Sequence, residues 1–258
     1  MHGRSTINPA RQRRSVSLGL GRSTMRYMIP IVFVAATVLP GCRHSAPMVR
    51  TQTPPRTVAA SPPTRSVEAS TLTSERDPSV RIELPKQVRY VGADRWILYG
   101  VADCELHVFV EADERKHVKR LFWIQFEGYL PSRPELRYNS STSQIMTIAG
   151  MDFFIRTRFG PTTDTPRAGS DTERVQVLLQ SNGYTLPPEM MNARFIHYLD
   201  EQKRQELMII YSEDLSSTGF TTSQLVSGGV VQPQWAAISE SLVRRANKSI
   251  SLQKITRP

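Results

Sequence analysis

The chain has 258 residues, two cysteines, 39% hydrophobic residues and a formal net charge of +10. That length supports one sizeable core, whereas two cysteines exclude a disulfide scaffold, the absence of any apolar run of about 18 residues excludes an ordinary membrane-spanning helix, and no unit repeats at a solenoid period of about 20–50 residues. The charge is concentrated at one end: residues 1–42 carry six basic residues and no acidic one, residues 43–78 carry five and three, and residues 79–258 carry twenty-two and twenty. A nucleic-acid partner is therefore not expected, since phosphate neutralisation needs a basic excess on the folded part.

Arg22 and Arg26 precede an apolar run from Met28 to Leu39, and Leu39-Pro40-Gly41-Cys42 follows at once. A basic stretch, an apolar segment of about 7–15 residues and small residues after it form the pattern of a secretory signal. The last four residues resemble the lipobox of bacterial lipoproteins, with Pro40 standing where Ala, Ser or Thr is usual. The resemblance covers residues 22–42. It implies cleavage before Cys42, acylation of the Cys42 sulfur, and membrane attachment through those acyl chains in the bacterial cell envelope, on the periplasmic side of the outer membrane. Residues 1–41 are thus expected to be a signal peptide, with Met25 as an alternative start.

Residues 43–78 hold six prolines among Ser, Thr and Ala, with almost no large apolar residue. Such a composition buries too little surface to offset chain entropy, so residues 42–78 are expected to form an acylated cysteine and a disordered tether. One domain is expected over 79–258. Leu98-Tyr99-Gly100-Val101 reads as the opening of a strand-rich region. Leu106, Val108 and Val110 alternate with Glu105, His107, Phe109 and Glu111, and Val118 to Glu127 is rich in aromatic and β-branched residues. Together these predict a hairpin that turns at Asp113–Lys116. Phe122, Ile124 and Phe126 fall on one face and Leu121 and Trp123 on the other, which predicts a central strand covered on both sides.

Further strands are predicted at Ile145–Ala149, Phe153–Phe159, Phe195–Leu199 and Leu207–Tyr211. Ser170-Asp171-Thr172-Glu173 is a capping-box pattern; Val175, Leu178 and Leu179 continue at helical spacing, and Asn182-Gly183 ends the run. A second helix is predicted from Pro233 through Trp235, Ile238, Leu242 and Ala246, with a short strand around Ile250 and Leu252. The expected fold is α+β: a mostly antiparallel sheet of about five to seven strands with a mid-chain helix and a C-terminal helix. A strand-rich domain that ends in a helix and a short strand resembles the Mog1/PsbP-like fold, and a START-like grip is a second analogue; neither implies a function by itself.

The sequence contains no nucleotide-binding loop, nucleophile elbow or metalloprotease helix, and no cofactor is expected. His107, His117 and His197 show no metal-ligand spacing with their acidic neighbours. Cys104 reads as a small core residue before it reads as a nucleophile. The candidate ligand contacts are Arg156 and Arg158, just before the polar loop 160–169, and Arg167 within it, which suit an anionic headgroup or glycan. Tyr129 and Tyr184 join them, in the similar segments Gly128-Tyr129-Leu130-Pro131 and Gly183-Tyr184-Thr185-Leu186-Pro187. The reading is therefore a lipid-anchored binding or assembly module with an envelope protein, lipid or glycan partner. The alternative is an envelope hydrolase using Cys104 or a His–carboxylate pair, which requires a cleft where His107 or His197 meets a carboxylate.

If Cys42 is the acylation site, Cys42→Ser should move the protein from the detergent phase to the aqueous phase when expressed in a bacterium. Unchanged partitioning and processing would remove the lipoprotein reading.

Overall fold

The computed structural model describes residues 61–139, 142, 144–226 and 228–255. The segment read as a signal peptide, Cys42 and residues 43–60 of the stretch read as a tether lie outside the described residues. Eleven strands occur in chain order: β1 (Ser66–Glu68), β2 (Thr71–Ser74), β3 (Val80–Glu83), β4 (Arg89–Leu98), β5 (Ala102–Ala112), β6 (Val118–Tyr129), β7 (Ile145–Ile148), β8 (Met151–Pro161), β9 (Glu189–Tyr198), β10 (Gln205–Asp214) and β11 (Ser251–Lys254). Three α-helices accompany them: α1 (Asp171–Ser181) between β8 and β9, and the short α2 (Thr222–Leu225) and α3 (Trp235–Ser249) between β10 and β11.

The class is α+β, but the strands form two antiparallel sheets, one more than expected. The smaller has the order β1-β2-β3-β11, and the larger the order β4-β5-β6-β10-β9-β8-β7. The strand-rich region begins before Leu98–Val101, which is the end of β4 and the turn after it. Tyr99 (φ 48°) and Gly100 (φ 73°) make the tight turn between β4 and β5, closed by Val101 N–H donating to the Leu98 carbonyl at 2.9 Å. Positive φ at both central positions suits the right-handed twist of a hairpin.

The large sheet is apolar on both faces, so it needs two covers. On the first face Phe109, Phe122, Ile124, Phe195 and Ile209 pack under Leu72, Val80 and Ile82 of the small sheet and under Leu242, Val243 and Ala246 of α3. On the second face Val108, Leu121, Trp123 and Met208 pack with Val175 and Leu179 of α1. The helix face of α3 differs from the expected one: Leu242, Val243 and Ala246 are its buried residues, whereas Trp235 is half-buried at the rim, edge-on to Phe159 with ring centroids 4.5 Å apart. A bidentate ion pair holds α3 down. Arg245 Nε and a terminal nitrogen donate to Glu213 at 3.0 and 2.7 Å, and the Tyr211 hydroxyl donates to the same carboxylate.

The fold begins well before residue 79. β1 and β2 lie within the stretch read as a tether, and Leu72 is fully buried. The entry of the chain is fixed by one carboxylate. Glu105 on β5 accepts hydrogen bonds from Thr64 N–H (3.0 Å), the Thr64 hydroxyl (2.8 Å), Arg65 N–H (2.9 Å) and the Arg65 guanidinium (2.9 Å), while His107 Nε2 stands 3.0 Å away. The Arg65 guanidinium also lies 3.7 Å over the Phe126 ring. Burial raises the Glu105 pKa, but hydrogen bonds from His107, Thr64 and Arg65 outweigh it and hold the carboxyl far below its ordinary range. Composition underestimates this segment because the buried Leu72, the partly buried Val67 and one long-range ionic clasp supply the burial that local sequence lacks.

Glu105→Ala should cost about 3–5 kcal/mol in urea unfolding, the usual loss when one partner of a buried pair is removed. It should also open residues 64–78 to protease. In the wild-type protein, trimming should stop near Thr64 and leave β1 and β2 intact.

Candidate functional groove

The second face of the large sheet is only partly covered. α1 is short, and its salt bridge from Arg174 to Asp94 (3.2 Å) holds it over the β4 side. Beside it a groove of about 610 Å³ remains open, floored by β6, β10, β9 and β8 and walled by α1 and the loop of residues 162–170. Strand register determines its polarity. Arg156 of β8 pairs with Arg194 of β9, Arg194 with Ile210 of β10, and Ile210 with Trp123 of β6. The neighbouring row runs Arg158, Asn192, Ser212, Leu121. Both rows therefore pass from cationic to apolar across the sheet.

Local sequence builds the wall. Ser170 accepts a hydrogen bond from Glu173 N–H at 3.2 Å and starts α1. The reciprocal bond of the box is shifted by one residue: Glu173 accepts from Gly169 N–H at 2.6 Å, not from Ser170. Gly169 has φ 76°, a conformation that favours glycine. Arg167 is held on the rim by Tyr99, whose ring centre lies 4.2 Å from its guanidinium. Trp123 is fixed from below: its Nε1–H donates to Gln125 (2.8 Å), Gln125 donates to Glu127 (2.7 Å), and the Tyr138 hydroxyl donates to the other Glu127 oxygen (2.9 Å).

Of the residues singled out from sequence, Arg156, Arg158 and Arg167 all line this groove. Tyr129 and Tyr184 are not among its lining residues. Tyr129 ends β6 and stacks on Tyr138 at 4.3 Å, facing a separate cavity of about 330 Å³. Tyr184 follows α1, where Lys116 lies 5.4 Å from its ring centre. The likeness of their two segments is one of turn sequence only. Sequence reasoning missed Arg194. Its signal was alternation: it falls between the buried Ala193 and Phe195, and so points to the face opposite theirs.

Arg194 is an unusual wall residue. Its terminal nitrogen is 3.6 Å from Glu206, and its Nε, which is buried, has no hydrogen-bond partner among the described residues. Glu206 is 4% exposed and is cross-strand to Glu127. Burial first, and then the negative charge of Glu127, push the Glu206 carboxyl up to about 7 despite Arg194. Glu127 is also raised, chiefly by burial.

The features a hydrolase would need are placed elsewhere. Cys104 is fully buried, and burial followed by the charge of Glu127 drives its thiol pKa far up, so a thiolate is disfavoured. His107 does meet Glu105, but it is 1% exposed and its other ring nitrogen lies 3.2 Å from the Tyr90 hydroxyl. His197 Nδ1 faces the Asp152 carbonyl at 3.0 Å. Among the described residues, no group of three or more His, Cys, Asp or Glu is placed to hold a metal ion, and no helix is long and apolar enough to cross a membrane.

Glu206 makes stability fall with rising pH. Below its ordinary value of 4.5 it is protonated in both the folded and the unfolded chain; between 4.5 and about 7 only the folded chain keeps the proton. The folded state then binds more protons, so raising pH across that window costs stability, and the cost is complete above 7. Glu206→Gln should remove about 1–3 kcal/mol of that loss in urea unfolding at pH 8 relative to pH 4.5. An unchanged pH slope would show that Glu206 ionises freely.

No family model matches the chain, and no curated protein or solved structure is similar to it, so the groove's own chemistry carries the functional reading.

Proposed function

We propose that this protein is a lipid-anchored cell-envelope binding module whose groove captures a ligand through an anionic group. The anchor rests on Arg22, Arg26, the apolar run and Leu39-Pro40-Gly41-Cys42. The binding role rests on one observation: Arg156, Arg158, Arg167 and Arg194, from two strands and a loop, line a single groove whose acidic lining residues are Asp164 and Asp171. Guanidinium groups offer forked donors that match phosphate and carboxylate oxygens, and several from different elements can hold one anion with defined orientation. The apolar surface between them and α1 supplies the rest of a small-molecule site. The tether in this reading is shorter than composition suggested, running from Cys42 to about residue 63, and still gives the domain reach from a membrane surface.

The reading is tested by titrating inorganic phosphate into the full chain. Loss of one charged hydrogen bond is worth about 1.5–3 kcal/mol, so Arg158→Gln should weaken binding by about tenfold or more, and Arg156→Gln and Arg167→Gln should do the same. Binding that is indifferent to all three substitutions would remove the arginine groove as the site.

A further inference from the structure

We infer that the natural occupant of the groove is a phosphate-headed lipid that lies across the strands, its head on β8 and β9 and its chain on β10 and β6. This rests on the anion-binding reading above and adds the ligand's second half and its direction. The observation is the polarity of two adjacent rows. Arg156–Arg194–Ile210–Trp123 continues to Val108 on β5, and Arg158–Asn192–Ser212–Leu121 continues to Val110. Each row is cationic or polar at the β8 end and apolar at the β6 end.

From β8 to β6 is three strand spacings, about 14 Å. A free phosphate would occupy only the first of those intervals. The remainder is lined by Leu121, Trp123, Val175, Leu186 and Ile210, with Ser212 of β10 as a polar group among them. An alkyl chain laid against the half-buried Ile210 and Leu186 removes its own apolar surface from water, at roughly 25 cal/mol per Å². The head end is similarly specific. The Arg194 side chain is 35% exposed and cross-strand to Arg156, so an acceptor oxygen can meet its guanidinium there. A phosphate, with several oxygens, can serve Arg156, Arg158 and Arg194 together.

The orientation also fits the position of Glu206. It lies on the same sheet face as Arg194, four residues along β10 from Ile210, and holds the guanidinium from the side, 3.6 Å from its terminal nitrogen. Glu206 is a positioning residue in this arrangement and touches no part of the lipid.

Calorimetry of the full chain separates the two halves of the ligand, using dodecyl phosphate and dodecyl maltoside, both below their micelle thresholds, and inorganic phosphate. Dodecyl phosphate should bind at least tenfold more tightly than inorganic phosphate. Ile210→Asn should abolish that advantage, and Leu186→Asn gives the same readout should the Ile210 variant fold poorly. Arg194→Gln should weaken both anions. Equal affinity for phosphate and dodecyl phosphate would overturn the lipid while leaving the anion site standing. Dodecyl maltoside binding as tightly as dodecyl phosphate would overturn the phosphate head of the lipid, and the failure of both anions to bind would overturn the anion site with it.

Discussion

Everything in this structure depends on a central sheet that is apolar on both faces. β6 carries Phe122, Ile124 and Phe126 toward one side and Leu121 and Trp123 toward the other, and its neighbours β5 and β10 continue both patterns. A sheet of that kind cannot leave either side in water. The first face is closed by two separate covers, the small sheet and α3. The second is given one helix of eleven residues. The groove exists because that single helix covers only part of a seven-stranded surface.

The same imbalance explains where the charges sit. Under the complete cover, a polar group survives only if it is saturated, and Glu105 is: it collects the donors of Thr64 and Arg65 and stays ionised. Beneath the incomplete cover, Glu206 has Arg194 at 3.6 Å and a second carboxylate across the strand pair, and its proton is held to about neutral pH. Two buried glutamates on one sheet thus take opposite protonation behaviour because their donor counts differ. The first fastens the N-terminal segment to the domain. The second positions a wall residue of the groove.

The two faces divide the structural labour. The covered face carries the clasps that join the domain to its leading segment and to α3, so the mechanical connections lie away from the groove. The open face carries the arginines, and none of the buried histidine or cysteine chemistry reaches it. Cys104 and His107 are buried in the core, away from the arginines.

Period-two alternation around Phe109 and Trp123 made the paired central strands legible in the sequence alone, as it did the two-sided burial of β6, and Ser170-Asp171-Thr172-Glu173 carried the start signal of a helix. These are local properties: side-chain alternation and capping chemistry act over a few residues. Arg156, Arg158 and Arg167 could be picked out for the same reason, since their charge and loop setting are written locally. Tertiary structure alone decided the rest. It placed Ser66–Ser74 in a sheet because a carboxylate forty residues away clasps Thr64 and Arg65. It brought Arg194 beside Arg156 through strand register, which no local pattern encodes. It separated Tyr129 from Tyr184 although their sequences are alike, since one ends a strand and the other follows a helix. Long-range pairing fixes which local signals share a surface, and the groove is defined by that sharing.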